Sequence, residues 1–166
     1  FLARSDSDSF PLDLKTLPAA QILSGLGRRA EALAREHGST LKTTLSSEGS
    51  LLRCDPERIE QAVLVLVDNA VKYGPPGEQV TLSSSTHGGE LLIEVADRGP
   101  GISPQELSRV FERYYRGGGS SRKRGSGLGL PIAEAIVRAH GGCVKAESRA
   151  GEGTRMLLRL PLAEGS

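Results

Sequence analysis

Three stretches of this chain alternate apolar and polar residues with a period of two, and that alternation limits its fold more than any other feature. Val80 to Ser85 and Leu91 to Ala96 do so on either side of the turn His87-Gly88-Gly89. Thr154 to Leu162 does so near the end, where Met156, Leu158, Leu160 and Leu162 alternate with Arg155 and Arg159. Such strands have one buried and one wet face, so their sheet needs covering on one side only. The cover is legible at helical spacing. Ile22, Leu23, Leu26, Ala30, Leu33 and Ala34 predict a helix over Pro18 to His37, stopped by Gly38. Asp55-Pro56 supplies an N-cap and a first-turn proline for a second helix, which runs to Tyr73 and ends at Gly74-Pro75-Pro76-Gly77. A third starts near Gly127, with Leu128, Ile132, Ala135, Ile136 and Ala139 expected on its buried stripe and Gly141-Gly142 beyond it. Thr40 to Leu45, Ser50 to Cys54 and Cys143 to Ser148 read as further strands. The expected class is α+β, a helical layer on one face of a largely antiparallel sheet.

The 166 residues suit one domain, with Phe1 to Arg4 reading as the end of a helix and Ser5 to Ser9 as a joint within a longer protein. Residues 1–8 are therefore assigned to an upstream hairpin or linker, 9–162 to the domain and 163–166 to a tail. With 21 Lys and Arg against 20 Asp and Glu, the net charge of +1 gives no general affinity for nucleic acid or anionic membrane. No apolar run approaches the roughly 20 residues of a spanning helix, so a soluble, cytoplasmic domain is expected, meeting a membrane only through a missing N-terminal part. Cys54 and Cys143 are expected to be small buried side chains rather than a disulfide. His37, His87 and His140 lack metal-ligand spacing.

Three segments carry chemistry. Asp97 continues the inward face of Leu91, Ile93 and Val95, and a carboxylate aimed at a core needs a partner. Gly99 and Gly101 let backbone approach a flat ligand; an adenine amino group would satisfy the acid, whereas the guanine carbonyl would be repelled. An ordinary Asp-Gly turn uses the same residues. On the second helix, Ile59, Val63, Leu66 and Ala70 form the core stripe. Asn69 sits at its edge, with Lys72 beside it and Tyr73 one turn on: an amide for metal or phosphate, an ammonium for phosphate and a ring for a base. A helix end whose Lys and Tyr reach past the core looks the same. Third, Gly125-Ser126-Gly127-Leu128-Gly129-Leu130 enters a helix start, where free N–H groups bind anions. Arg113, Arg116, Arg122, Lys123 and Arg124 lie just upstream; a basic loop is usually just solvated, but beside an anion-binding helix start it suggests a lid over a triphosphate.

Together these segments resemble the GHKL ATP-binding fold (gyrase, Hsp90, histidine kinase and MutL types), and within it the histidine kinases, from about Ser9 to Leu162. Asp68 to Tyr73 is similar to the N box, Asp97 to Ile102 to the first glycine box, Val110 to Arg116 to the F box, Gly125 to Leu130 to the second glycine box and Gly151 to Thr154 to the last. The resemblance implies a two-layer α/β sandwich (the Bergerat fold), with a mixed five-stranded sheet under three helices and a flexible ATP lid. It implies Mg²⁺ on Asn69, phosphate on Lys72, adenine against Tyr73 and on Asp97, and support from Thr154. Gly99, Gly101, Ile102, Tyr115 and Arg116 would line the nucleotide site, and Gly125, Ser126, Gly127, Leu128, Gly129 and Leu130 would cover the phosphates.

One position departs from the pattern. One turn before Asn69, where histidine kinases usually carry a polar residue and the ATPases a Glu, this chain has Val65, which can neither bind metal nor deprotonate water. Asp68 points about 100° away around the helix. None of the three histidines has the phosphoacceptor pattern. The implied function is a histidine kinase catalytic domain that binds Mg·ATP and phosphorylates a histidine on an upstream dimerising hairpin outside this chain, and through it serves a response regulator. A GHKL-type ATPase and a nucleotide-binding scaffold without turnover are the alternatives.

Overall fold

In the computed structural model the described residues are 11–73, 77–99, 129–149 and 151–163. The elements run β1 (Lys15–Pro18), α1 (Ala19–Glu36), β2 (Thr40–Thr44), β3 (Leu51–Cys54), α2 (Pro56–Tyr73), β4 (Gln79–His87), β5 (Glu90–Asp97), α3 (Gly129–Ala139), β6 (Cys143–Arg149) and β7 (Gly153–Pro161). The basic lid and the expected start of the third helix near Gly127 lie outside the described residues.

The main sheet has the order β2-β4-β5-β7-β6. β2 and β4 are parallel, joined through β3 and α2, and the other three pairings are antiparallel. The sheet is therefore mixed and five-stranded. One face carries Val80, Leu82, Leu91, Ile93, Val95, Met156, Leu158 and Leu160, all buried. The other is open, and there Arg155 pairs with Glu94 at 3.1 Å and with Glu147 at 3.3 Å. The helices lie across the covered face in chain order: α1 meets β2, α2 meets β4 and β5, and α3 meets β6 and β7, with α2 touching both neighbours. This is the two-layer sandwich that the alternation demanded.

Three local expectations change. β1 was not anticipated: four mostly exposed residues with one apolar side chain carry no alternation, and β1 forms only by pairing with β3 in a separate two-stranded ribbon. In α3 the buried residues are Ala133, Ile136 and Val137, while Ile132 is exposed. That helix is apolar around most of its circumference, so its neighbours, not its periodicity, decide which side is covered. Cys143 is exposed, whereas Cys54 is buried as expected. Burial, reinforced by the neighbouring Asp55 charge, pushes the Cys54 thiol up to about 11, which marks an unreactive core residue.

α2 begins as its sequence predicts. Asp55 caps it: the Asp55 carbonyl accepts from Ile59 N–H at 3.0 Å and its Oδ1 from Arg58 N–H at 3.3 Å. The other carboxylate oxygen accepts from Asp13 N–H at 3.0 Å, tying the strand that enters the domain to the start of α2. The buried face of α2 is broader than its predicted stripe, because Ala62, Val67 and Val71 are covered along with Ile59, Val63, Leu66 and Ala70.

Candidate nucleotide site

The acid at the end of β5 stands where period two puts it. Leu91, Ile93 and Val95 are each 1% exposed, and Asp97, next on that face, is partly buried. Gly99 N–H donates to its Oδ1 at 2.7 Å, and Thr154, its register partner across β7, gives a second backbone N–H. Burial still dominates, and the two amides offset only part of it, so the Asp97 carboxyl is held above the ordinary carboxylate value of 3.8. An acid shifted in that direction gains from any further donor brought to it.

The support beneath Asp97 comes from the β6–β7 turn, which in sequence stands out only as a glycine box. Thr154 is 9% exposed. Its Oγ1 lies 3.1 Å from Ser148 Oγ, which donates to the Gly153 carbonyl at 2.9 Å. Gly153 has a φ of 89°, and a Cβ there would run into the Asp97 carbonyl oxygen. Only a glycine lets this turn approach the end of β5 so closely. No periodicity signals Gly153 or Ser148 as site residues; the signal available was the Gly-x-Gly-Thr string itself.

The second wall is α2. Asn69 is partly buried at the edge of the core stripe, as expected. Lys72 is bound to Asp68 across one helical turn at 3.0 Å, and Asp68 also lies 3.9 Å from His37 Nε2. Asp68 thus faces α1's end and is no substitute ligand beside Asn69. Tyr73 is the last residue of α2. Gly101, Ile102, Tyr115, Arg116, Gly125, Ser126, Gly127 and Leu128 lie outside the described residues.

The third element is α3, described from Gly129 onward, with Leu130 packed against the core. A hydrogen bond at one end and a close approach at the other set it antiparallel to α2. At one end, Asp55 N–H donates to His140 Nε2 at 3.0 Å, while His140 Nδ1 lies 2.7 Å from the Ile136 carbonyl. A carbonyl only accepts, so Nδ1 carries the proton and Nε2 is the bare acceptor. At the other end, a Cβ on Gly129 would stand 3.3 Å from Val65 Cγ1.

A groove of about 990 Å³ between α1 and α2 reaches the seam with α3 at Val65, Asp68 and Gly129. Elsewhere it is lined by Glu36, Glu57 and Glu60 together with Arg29, which pairs with Glu60, and Asp97 is not on its wall.

Residues 54–164 match the family profile of histidine kinase-, DNA gyrase B-, and HSP90-like ATPases. The chain belongs to this ATPase family. Histidine protein kinase DivJ of Caulobacter vibrioides is 35% identical over 162 residues, covering 97% of this chain and 27% of DivJ. Sensor protein SrrB of Staphylococcus aureus is 28% identical over 165 residues, 98% of this chain and 28% of SrrB. The chain thus spans little more than a quarter of these relatives. Among solved structures, the mycobacterial sensor histidine kinase MprB matches with a TM-score of 0.75 at 29% identity, over 90% of this chain and 98% of that one. Full-length ShkA in complex with AMPPNP matches with a TM-score of 0.77 at 29% identity, over 93% of this chain and 32% of ShkA. Within the family, this is a histidine kinase-type ATPase domain.

For a magnesium ion, the described residues contain no group of three or more His, Cys, Asp or Glu able to hold a metal. Magnesium needs no such cage when phosphates supply most of its oxygens, and the Asn69 amide suits that lesser role.

Proposed function

We propose that this domain binds Mg·ATP between β5, α2 and α3, and supplies the γ-phosphate to a histidine on a helical hairpin upstream in the same protein. The observation that carries the reading is Asp97: an acid raised by burial, held by two backbone amides, with capacity left for a donor such as the adenine amino group. A guanine would present a carbonyl to the same carboxylate and be rejected. Asn69 is the magnesium ligand of the protein, and Lys72 exchanges its Asp68 contact for phosphate. To the residues of the second glycine box, Gly125 to Leu130, with Arg116 and Tyr115, we assign the polyphosphate, and to Gly101, Ile102 and Tyr73 the base. Magnesium held by the Asn69 amide would supply neutralisation of the phosphate charge.

Val65 favours phosphoryl transfer over hydrolysis, because a valine one turn before Asn69 cannot activate water. The acceptor then passes its phosphoryl group to a response regulator, and the domain works in the cytoplasm, where ATP is supplied. No helix among the described residues is long and apolar enough to cross a membrane.

Two measurements test the reading. Calorimetry with magnesium should give saturable uptake of ATP and much weaker uptake of GTP; equal uptake of the two, or none of either at millimolar levels, would sink it. Mixed with its hairpin and ATP, the domain should put acid-labile phosphate on the hairpin histidine and none on itself.

A further inference from the structure

α2 and α3 are matched in length between their two pins. Ten residues separate Asp55 from Val65 and eleven separate Gly129 from His140, about 15 and 16 Å of helix at 1.5 Å per residue. With the far pin fixed by the His140 hydrogen bond, the near pin decides where the first turn of α3 rests. It consists of one side chain and one missing side chain. The Gly129 backbone is helical, so Gly129 is not needed there for an unusual φ. What it offers is room: a methyl group at 129 would sit 3.3 Å from Val65 Cγ1, so that Val65 would have to give by a few tenths of an ångström. Val65 is partly buried, packs against the core and lines the α1–α2 groove together with Asp68 and Gly129.

From this juxtaposition we infer that Val65 is a positioning residue. Its γ-methyl seats the first turn of α3 and so sets the distance between that turn and Asn69, one turn further along α2. The inference rests on the nucleotide reading above and deepens it. It assigns to Val65 the polyphosphate end of the ligand, and to Asp97 and Thr154, which stand on β5 and β7 away from this seam, the adenine end. The volume at positions 65 and 129 therefore governs how much is gained from the phosphates while leaving recognition of the base untouched.

The test uses the whole chain as wild type, Val65→Ala, Gly129→Ala and the double variant. Without ligand, urea unfolding should show Gly129→Ala destabilising the wild-type chain and destabilising the Val65→Ala chain much less, a coupling between the two positions. NMR titration should show both single variants losing about tenfold in ATP affinity, the scale of one charge-assisted hydrogen bond. Adenosine affinity should stay within about twofold, and the double variant should recover part of the ATP loss. A general loosening of the fold would instead lower ATP and adenosine together, and that result overturns the inference, as does unchanged ATP affinity or an absence of coupling in the unfolding cycle. Wild-type protein that takes up neither ligand overturns the nucleotide reading itself and the positioning role with it, whatever the unfolding cycle shows about packing.

Discussion

Asp97 and Asp55 are both acids withdrawn from water, yet their surroundings push them in opposite directions. Burial raises Asp97, and two amides recover only part of that shift. A raised native pKa means that the ionised side chain works against folding once the pH passes it. Asp97→Asn should therefore leave the unliganded domain at least as stable at neutral pH. An asparagine that turns its oxygen to the Gly99 and Thr154 amides turns its own N–H to the ligand, so ATP affinity should fall by about tenfold or more; chemical denaturation and calorimetry on the same sample check both halves. In Asp55 burial also pushes upward, but the amides of Asp13, Arg58 and Glu57 and the Arg58 charge outweigh it, and the net shift is down. The stability it contributes is complete above the ordinary value of 3.8 and disappears as pH falls through the lowered one. Asp55→Ala should cost about 1 kcal/mol, as lost N-caps do, and that difference should shrink on acidification, as urea titrations at several pH values would show. The inward aim of Asp97 was legible from period two. Its displacement in pKa was not, because that depends on amides from Gly99 and on Thr154, which is 57 residues away in sequence and adjacent only in the sheet.

Helices α1 and α2 could be placed from sequence almost to the residue, since each has a strong stripe and clear stop signals. For α3 the existence was legible and the orientation was not. Leu130, Ile132, Ala133, Ala135, Ile136, Val137 and Ala139 leave no polar side wide enough to choose a face, and the contact with α2 made the choice. The His140 bridge was equally invisible, since it joins residues 85 positions apart. It carries a prediction at this scale. His140→Ala leaves the Asp55 N–H without its acceptor and should destabilise by about 1–3 kcal/mol, the usual effect of an orphaned buried donor. His140→Gln places an oxygen near the former Nε2 and should regain much of that, whereas the shorter His140→Asn should not; equilibrium unfolding of the three variants distinguishes a hydrogen bond from simple loss of volume. The ribbon of β1 and β3 marks another limit of local pattern. Four residues with one apolar side chain become a strand only because a partner strand is already there.

For the molecule as a whole, the two-layer architecture was readable because one-sided strands and amphipathic helices leave few ways to bury both. The helices lie over the sheet in chain order, so the candidate site falls at the layer boundary, where α2 meets β5 and is flanked by α3. A ligand held by all three elements binds the folded state alone. Mg·ATP at a hundred times its dissociation constant should then add about 2.7 kcal/mol, a rise of roughly 5–10 °C in melting temperature for a domain of this size, while GTP at equal concentration should add little. A melting curve unmoved by ATP would contradict a site shared between the layers. Asp55 has a consequence of its own at this scale. Its polar atoms join two distant stretches of chain to the adjoining first turn of α2, through the Asp13 amide, the Arg58 amide and the ring of His140. The lead-in segment, the middle helix and the last helix consequently share one clasp, and fraying at any of them loosens the other two in the same event.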